Sequence, residues 1–303
     1  MYVVVKQHLR AARRVTVRLS LSRRIPPDAL RRPNETRLLL YGLCGGAAEH
    51  ELFLADRYNY SVRAFHVRTG RLDARDAYTP PIGEWVNDVA YSAELDSLFV
   101  ATYQSDHSGV IVRSLARRID GQWSEYHRIQ LAREGDNRIC LRVLRDTLLC
   151  SQRDTDGIHL CHAHSDRSLQ HCVRVALPAA HEGFDAQLTG NERRLAAALS
   201  NGSVALFRVD TERAALVQLS RVTLAGAQFA LFCGDSVLVG VATENDELEA
   251  LSFTMTDGRL QHDRQLISRD DRLDIVSWCF VEGTLFAWDR KSKELRVLLF
   301  NVA

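Results

Sequence analysis

The chain has 303 residues, of which 46% are hydrophobic and 25% are charged, and its formal net charge is +1. These values are typical of folded globular chains and exclude wholesale disorder and fibrous repeats. No run approaches the ~18 consecutive apolar residues that a membrane-spanning helix requires, so we expect a soluble protein.

The amino-terminal 34 residues are strongly basic, with nine Lys or Arg residues against the single acid Asp28. Such an arm predicts docking to an anionic partner, which could be nucleic acid, lipid or an acidic protein. Alternatively, the arm neutralises the acidic remainder of the chain, or it is a mitochondrial targeting segment. The arginines assigned to this contact are Arg10, Arg13, Arg14, Arg18, Arg23 and Arg24.

The segment 15–21 alternates apolar and polar residues and has no repeat unit of its own. Alternation with period two is typical of a half-buried β-strand. We therefore predict that this strand joins the last repeat unit and closes a ring, which would remove the open sheet edges of a linear array.

After the arm, one pattern recurs six times: an apolar strand, a second apolar strand, a polar turn, and an alternating third strand. The polar turns are marked by Asp56, Asp106, Asp154, Asn201, Asn245 and Asp289, at steps of 50, 48, 47, 44 and 44 residues. Repeats of ~40–50 residues that contain four antiparallel strands have the size of a propeller blade.

We therefore predict an all-β propeller of six four-stranded antiparallel blades, with seven as an alternative. The basic arm covers 1–34, the propeller covers 35–303, and the blades lie at about 35–80, 85–132, 136–178, 183–224, 226–268 and 272–303.

The first unit, from Leu52 through Asp56 to Gly70, resembles a blade of the six-bladed NHL and WD-repeat-like propellers, whose units also run from an apolar strand into Asp-x-x-Asn. The hallmark Trp-Asp dipeptide occurs once, at Trp288-Asp289. The resemblance implies a fold and a general tendency to act as a platform for other proteins. It does not identify a function.

Two constellations are candidate sites. Arg57, Tyr58 and Tyr60 form an aromatic and basic loop, and Tyr and Arg are enriched where proteins bind one another. A second set of polar residues precedes or begins the innermost strands and consists of Glu35, Asn87, Asn137, Asp185 and Asp274.

The first four members of the polar set are spaced by the repeat period, so they would meet at one mouth of the central channel. Carboxylate and amide oxygens suit calcium or another divalent cation, which could activate water. The arrangement resembles gluconolactonase-type hydrolases, although Glu35 precedes Asn87 by one blade rather than the two that the family shows. The alternative is that these residues cap neighbouring backbone groups.

The seven cysteines are an odd number, and no secretory signal opens the chain, so we expect reduced thiols in a cytoplasmic or nuclear protein. Three functions remain open. The first is a non-catalytic scaffold that binds protein partners without a cofactor. The second is a channel-metal lactone or ester hydrolase. The third is a subunit of a nucleic-acid-associated complex that uses the basic arm.

Overall fold

The computed structural model describes most of the chain from residue 17 to residue 302. The ranges that it leaves out within this span are 47–50, 74–75, 105–108, 133, 135–137, 171, 190, 234–235, 243–247, 257–258, 261–264, 270–274, 282–283 and 290–291.

Five sheets are antiparallel meanders of strands that follow one another in the chain. The first strand of each sheet is the innermost one and contacts the first strands of the neighbouring sheets around the central channel. The first two sheets contain β2 (Leu40–Gly45), β3 (Glu51–Asp56), β4 (Ser61–His66), β5 (Arg71–Leu72), β6 (Glu84–Ser92), β7 (Ser97–Gln104), β8 (Val110–Arg117) and β9 (Trp123–Leu131). The third and fourth contain β10 (Ile139–Leu144), β11 (Thr147–Gln152), β12 (Gly157–His162), β13 (Val173–Ala176), β14 (His181–Thr189), β15 (Glu192–Leu199), β16 (Ser203–Asp210) and β17 (Ala215–Thr223). The fifth contains β18 (Ala227–Cys233), β19 (Ser236–Ala242), β20 (Leu248–Thr256), β21 (Arg259–Leu260) and β22 (Gln265–Arg269).

The remaining sheet joins the two ends of the chain. Its strands are β23 (Ile275–Val281), β24 (Thr284–Asp289), β25 (Glu294–Val302) and β1 (Val17–Ile25). Strand β1 pairs antiparallel with β25, from Val17 opposite Val302 to Ile25 opposite Leu295. A short 3-10 helix, Pro27–Leu30, then leads toward β2.

The apolar core lies in layers between neighbouring sheets. All six residues of β3 are buried, because both of its faces are covered. One layer packs Phe53 of the first sheet against Val86 and Leu98 of the second, and another packs Trp288 of the last sheet against Leu40 of the first. Because both faces of such a strand are buried, consecutive residues along it are apolar, and this explains the apolar runs in the sequence.

The expected all-β propeller with four-stranded antiparallel blades is confirmed. Five sheets are complete consecutive units, one fewer than the six predicted, because the last three strands take their fourth strand from the amino-terminal segment. Within the described residues that segment forms the strand Val17–Ile25, which overlaps the predicted 15–21 and extends four residues beyond it. None of the described helices is long and apolar enough to span a membrane.

Candidate interaction surface and central channel

The innermost strands run in the same direction, and we call the end at which they begin the upper end. Because the sheets are antiparallel, the turn between the second and third strand of each sheet also lies at the upper end, as does the connection from one sheet to the next. The turn between the third and fourth strands lies at the opposite, lower end.

The predicted loop of Arg57, Tyr58 and Tyr60 is the upper turn between β3 and β4. Asp56 shapes it, since its Oδ1 accepts hydrogen bonds from the backbone N–H groups of Tyr58 (3.1 Å) and Asn59 (3.4 Å). Tyr58 and Tyr60 are 48% and 46% exposed. The turn therefore presents two aromatic side chains to solvent from a fixed backbone.

Arg57 is held between two aromatic rings that sequence reasoning did not connect with it. Its guanidinium carbon lies 4.8 Å from the ring centre of Tyr41 and 4.8 Å from that of Trp85. Both distances are within the range of a cation–π contact. Tyr41 and Trp85 belong to the innermost strands of the first two sheets, so Arg57 links the exposed turn to the rim of the channel.

Ile82 is a further exposed residue at the upper end and is fully open to solvent. It lies in the connection from the first sheet to the second, directly after two prolines. We call Tyr58, Tyr60 and Ile82 the upper aromatic surface. The Pro80-Pro81-Ile82-Gly83 segment is typical of an exposed turn, because Pro and Gly favour turns, so the sequence already indicates that Ile82 is exposed.

Part of the predicted basic arm is a strand of a sheet. Arg18, Arg23 and Arg24 lie in β1, and Arg23 donates a hydrogen bond to the Val67 carbonyl (3.3 Å). These positions are therefore tied to the propeller body. Arg10, Arg13 and Arg14 lie outside the described residues.

The described members of the predicted metal set, Glu35, Asn87 and Asp185, contact different residues. Glu35 binds the buried Arg63 through both carboxylate oxygens, at 2.8 and 2.6 Å. Asn87 is fully buried, and its amide nitrogen lies 3.5 Å from the Trp85 carbonyl. Asn137 and Asp274 lie outside the described residues, so the calcium site stays a prediction.

Asp185, the remaining member, lies in the channel and binds an arginine. Arg142 of β10 donates from Nε to Asp185 (2.7 Å), and its Nη1 lies 3.4 Å from Asp88. Each carboxylate also accepts a hydrogen bond from the backbone of the next sheet. Asp88 accepts from the Leu141 N–H (2.7 Å), and Asp185 accepts from the Phe232 N–H (3.0 Å). This cluster connects four successive innermost strands.

A β-bulge explains why Asp88 and not its neighbour Asn87 faces Arg142. The pairing of β6 with β7 shifts between Val86 and Asp88, and this inserts Asn87 as an extra residue. A bulge reverses the alternation of faces beyond it and re-aims the following side chain. Innermost strands β2, β14, β18 and β23 have comparable shifts near their upper ends.

The Arg142 cluster divides the channel into two cavities. The upper cavity has a volume of about 290 Å³, and the lower cavity has about 450 Å³; Arg142 lines both. Burial raises the pKa of Asp88 to about 6, and the positive charge of Arg142 opposes this rise. Arg142 therefore supplies the positive charge between the carboxylates of Asp88 and Asp185.

His181 is a buried titratable group in the wall of the upper cavity. It is 1% exposed, and its Nε2 lies 2.8 Å from the Ser151 hydroxyl. Burial lowers the pKa of His181 to about 4, so the ring is neutral near pH 7.

The channel cysteines are partly buried thiols. Burial raises the pKa of Cys140 and of Cys279 to about 12 and also raises that of Cys44. A thiol must ionise to act as a nucleophile or metal ligand, so these environments disfavour both roles. In the third sheet, Cys161 and Cys172 form a disulfide, which departs from the expectation that all thiols are reduced.

A different group of side chains has the spacing of metal ligands. Glu51, His66 and Asp73 of the first sheet place their ligand atoms within 4.8 Å of one another. His66 Nε2 lies 2.8 Å from Asp73 Oδ1, so the pair is already satisfied by a hydrogen bond.

No protein-family model matches the chain, and no curated protein matches it. Among solved structures, the chain is similar to the PQQ-bound aldose sugar dehydrogenase of Streptomyces coelicolor, with a TM-score of 0.64, 10% identity and coverage of 95% of this chain and 99% of that one.

Two further solved structures are also similar to the chain. A chain of the mitotic checkpoint complex aligns with a TM-score of 0.56 and 12% identity over 88% of this chain and 95% of that one. The RRP9 WD40 repeats align with a TM-score of 0.54 and 13% identity over 95% of this chain and 100% of that one. At these identities the comparisons show a WD40-like β-propeller fold alone.

Proposed function

We propose that the chain is a non-catalytic propeller scaffold that binds a protein partner through the upper aromatic surface. The observation that carries this proposal is the exposure of Tyr58, Tyr60 and Ile82 at one end of the molecule. Tyrosine side chains supply large contact areas with few rotatable bonds, so they dominate many protein interfaces.

The fixed backbone of the turn supports this function. Asp56 holds the turn through its backbone hydrogen bonds, and Arg57 is packed on Tyr41 and Trp85. A preordered surface loses less conformational entropy on binding. Similarity to a chain of the mitotic checkpoint complex and to WD40 repeats is in keeping with a role inside an assembly.

The test uses the full chain as bait in native extract and compares it with the triple variant Tyr58→Ser/Tyr60→Ser/Ile82→Ser. We expect the wild type to retain a stoichiometric protein and the variant to retain it at least about tenfold less. Ile119→Ser is the matched control, because Ile119 is an equally exposed apolar residue in the lower turn between β8 and β9. Equal capture by the wild type and the triple variant would contradict the proposal.

We also propose that the scaffold is a six-bladed ring closed by β1. The support is the pairing of β1 with β25, together with contacts that run through every successive pair of innermost strands and from β23 back to β2. The buried Ile25 and Leu30 pack in the layer between the last sheet and the first.

Deleting residues 1–25 tests the closure. Because the deletion exposes the edge of β25 and removes Ile25 from the core, we expect the thermal midpoint to fall by more than about 10 °C. Deleting only residues 1–14 leaves β1 and should change the midpoint little. Identical melting of both truncated chains would show that β1 does not close the ring.

A further inference from the structure

Three buried polar atoms in the wall of the upper cavity have no hydrogen-bond partner in the described part of the chain. They are His181 Nδ1, Ser277 Oγ and Trp278 Nε1, and none makes a hydrogen bond to any described residue. All three side chains line the same cavity, and His181 and Ser277 are 1% and 5% exposed. Buried polar groups are nearly always paired, so three in one cavity point to a ligand that pairs with them.

The neutral ring of His181 can offer either an acceptor or a donor to the cavity. The Ser151 hydroxyl lies within hydrogen-bond distance of the Gly157 carbonyl, the Thr155 hydroxyl and His181 Nε2, so these contacts permit either neutral tautomer of His181. Burial lowers the pKa of His181 to about 4, which keeps the ring neutral. A hydroxyl group of a ligand can pair with Nδ1 in both tautomers, because a hydroxyl both donates and accepts.

Trp278 and Ser277 add complementary requirements. The indole Nε1–H can only donate, and the Ser277 hydroxyl can do both. A ligand that pairs with His181 and accepts from Trp278 meets these requirements with hydroxyl groups, since each hydroxyl both donates and accepts. Several hydroxyls on one small molecule would satisfy all three atoms together.

The charges around the cavity balance. Arg138, Arg142 and Arg153 line it. The carboxylates of Asp88 and Glu182 also line it, and Glu182 accepts from Arg153 Nε at 2.8 Å. Asp185 lies on the side of the lower cavity, but it accepts from Arg142 Nε and so contributes a third negative charge beside the three arginines. Because these charges balance, the site favours an uncharged ligand.

The size and the apolar part of the wall are also selective. A volume of about 290 Å³ is at the small end of the range for ligand pockets. The Trp278 ring is packed against Phe229, with ring centres 4.4 Å apart, and together they form a rigid apolar wall for the carbon skeleton of a ligand.

We propose that the upper cavity binds a small, uncharged, polyhydroxylated molecule of monosaccharide size. Its hydroxyls pair with His181, Ser277 and Trp278, and its carbon skeleton packs on the aromatic wall. None of Tyr58, Tyr60 and Ile82 lines this cavity. Failure of the ligand to bind would therefore not contradict binding of a protein partner, and the reverse also holds.

Titration calorimetry on the full chain tests the proposal, with D-glucose, D-galactose and myo-inositol as probes. We expect saturable binding of at least one probe at concentrations up to about 50 mM. Trp278→Phe, which keeps an aromatic ring but loses the indole N–H, should bind that probe about tenfold more weakly.

Trp288→Phe is the matched control. Trp288 Nε1 is also buried without a described partner, but Trp288 lies in the core layer between the last sheet and the first, away from the cavity. This variant should bind the probe like the wild type. Ser277→Ala, a smaller change, should weaken binding several-fold even if Trp278→Phe does not fold.

Three results would overturn the proposal. The first is the absence of binding by all three probes. The second is equal affinity of the wild type and Ser277→Ala, which would leave water as the partner of these atoms. The third is tighter binding of D-gluconate than of D-glucose, which would indicate an anion site.

Discussion

The two halves of the central channel differ in the polarity of the side chains that line them. The upper cavity is lined by charged and polar groups such as Arg153, Glu182 and His181, whereas the lower cavity is lined largely by apolar groups such as Leu231, Phe280 and the thiol of Cys279. Both halves are built from the same six innermost strands. The difference arises because the bulges near the upper ends bring Tyr41, Glu182 and Gln228 into the upper cavity, while the lower part keeps regular alternation.

The largest effect is expected where the halves meet. Replacing Asp185 with Ala leaves Arg142 with one distant carboxylate and leaves the Phe232 N–H without its acceptor. Because breaking one side of a buried ion pair strands the other charge, we expect a loss of about 3 kcal/mol or more in the free energy of unfolding. Urea unfolding measures this loss.

Asp156→Ala is the control for that measurement. Asp156 binds Arg174 at 2.6 Å but is exposed, and exposed pairs contribute little. If the two variants were equally stable, the Arg142 cluster would not hold the strands together.

An intermediate effect is expected in the upper half when the pH is lowered. The folded-state pKa of His181 is about 4, below the ~6.5 of an unfolded histidine, so the unfolded chain binds the extra proton first. The contribution to stability is complete above pH ~6.5 and is lost as the pH falls toward 4. Between about pH 7.5 and about pH 5 the loss is roughly 2 kcal/mol.

Urea unfolding of the wild type and of His181→Phe at both pH values isolates this contribution. Since phenylalanine does not titrate, the variant should lose roughly 2 kcal/mol less than the wild type over that interval. Parallel losses in the two proteins would mean that His181 is solvated in the folded state.

The smallest effect is expected in the lower half. Cys279 is a partly buried thiol that packs beside Phe286 and behaves as a small apolar side chain. Cys279→Ala should therefore cost at most about 1 kcal/mol at either pH. A larger cost that changed with pH would show that the lower half also contains a titrating polar network.

The repeat was readable from the sequence because each polar turn follows an apolar strand that is buried on both faces. Asp56 and Asp289 end the equivalent strands β3 and β24, and each binds the arginine seven residues later, Arg63 at 3.2 Å and Arg296 at 2.7 Å. This Asp-to-Arg spacing is visible in the sequence, although the sequence analysis did not select it. It marks ion pairs that join the second and third strands of these sheets.

The channel site was only partly predictable. The repeat period brought Asp185 to the channel, but the same reasoning selected Asn87, because a uniform alternation of faces cannot reveal a bulge. Glu35 was counted with the channel residues, although it lies before β2 and neutralises the buried Arg63. Arg142 was missed, since an arginine in a half-apolar strand carries no local sign of the carboxylates that face it.

By itself, the amino-acid sequence determined the all-β character and the four-stranded repeating unit, because burial on alternate faces is written in the order of apolar and polar residues along each strand. The tertiary structure alone decided which side chains meet in the channel and that the first strand pairs with the last. Those contacts join residues that lie tens to hundreds of positions apart in the chain. Local β-bulges, such as the one at Asn87, determine which of two adjacent side chains faces the channel.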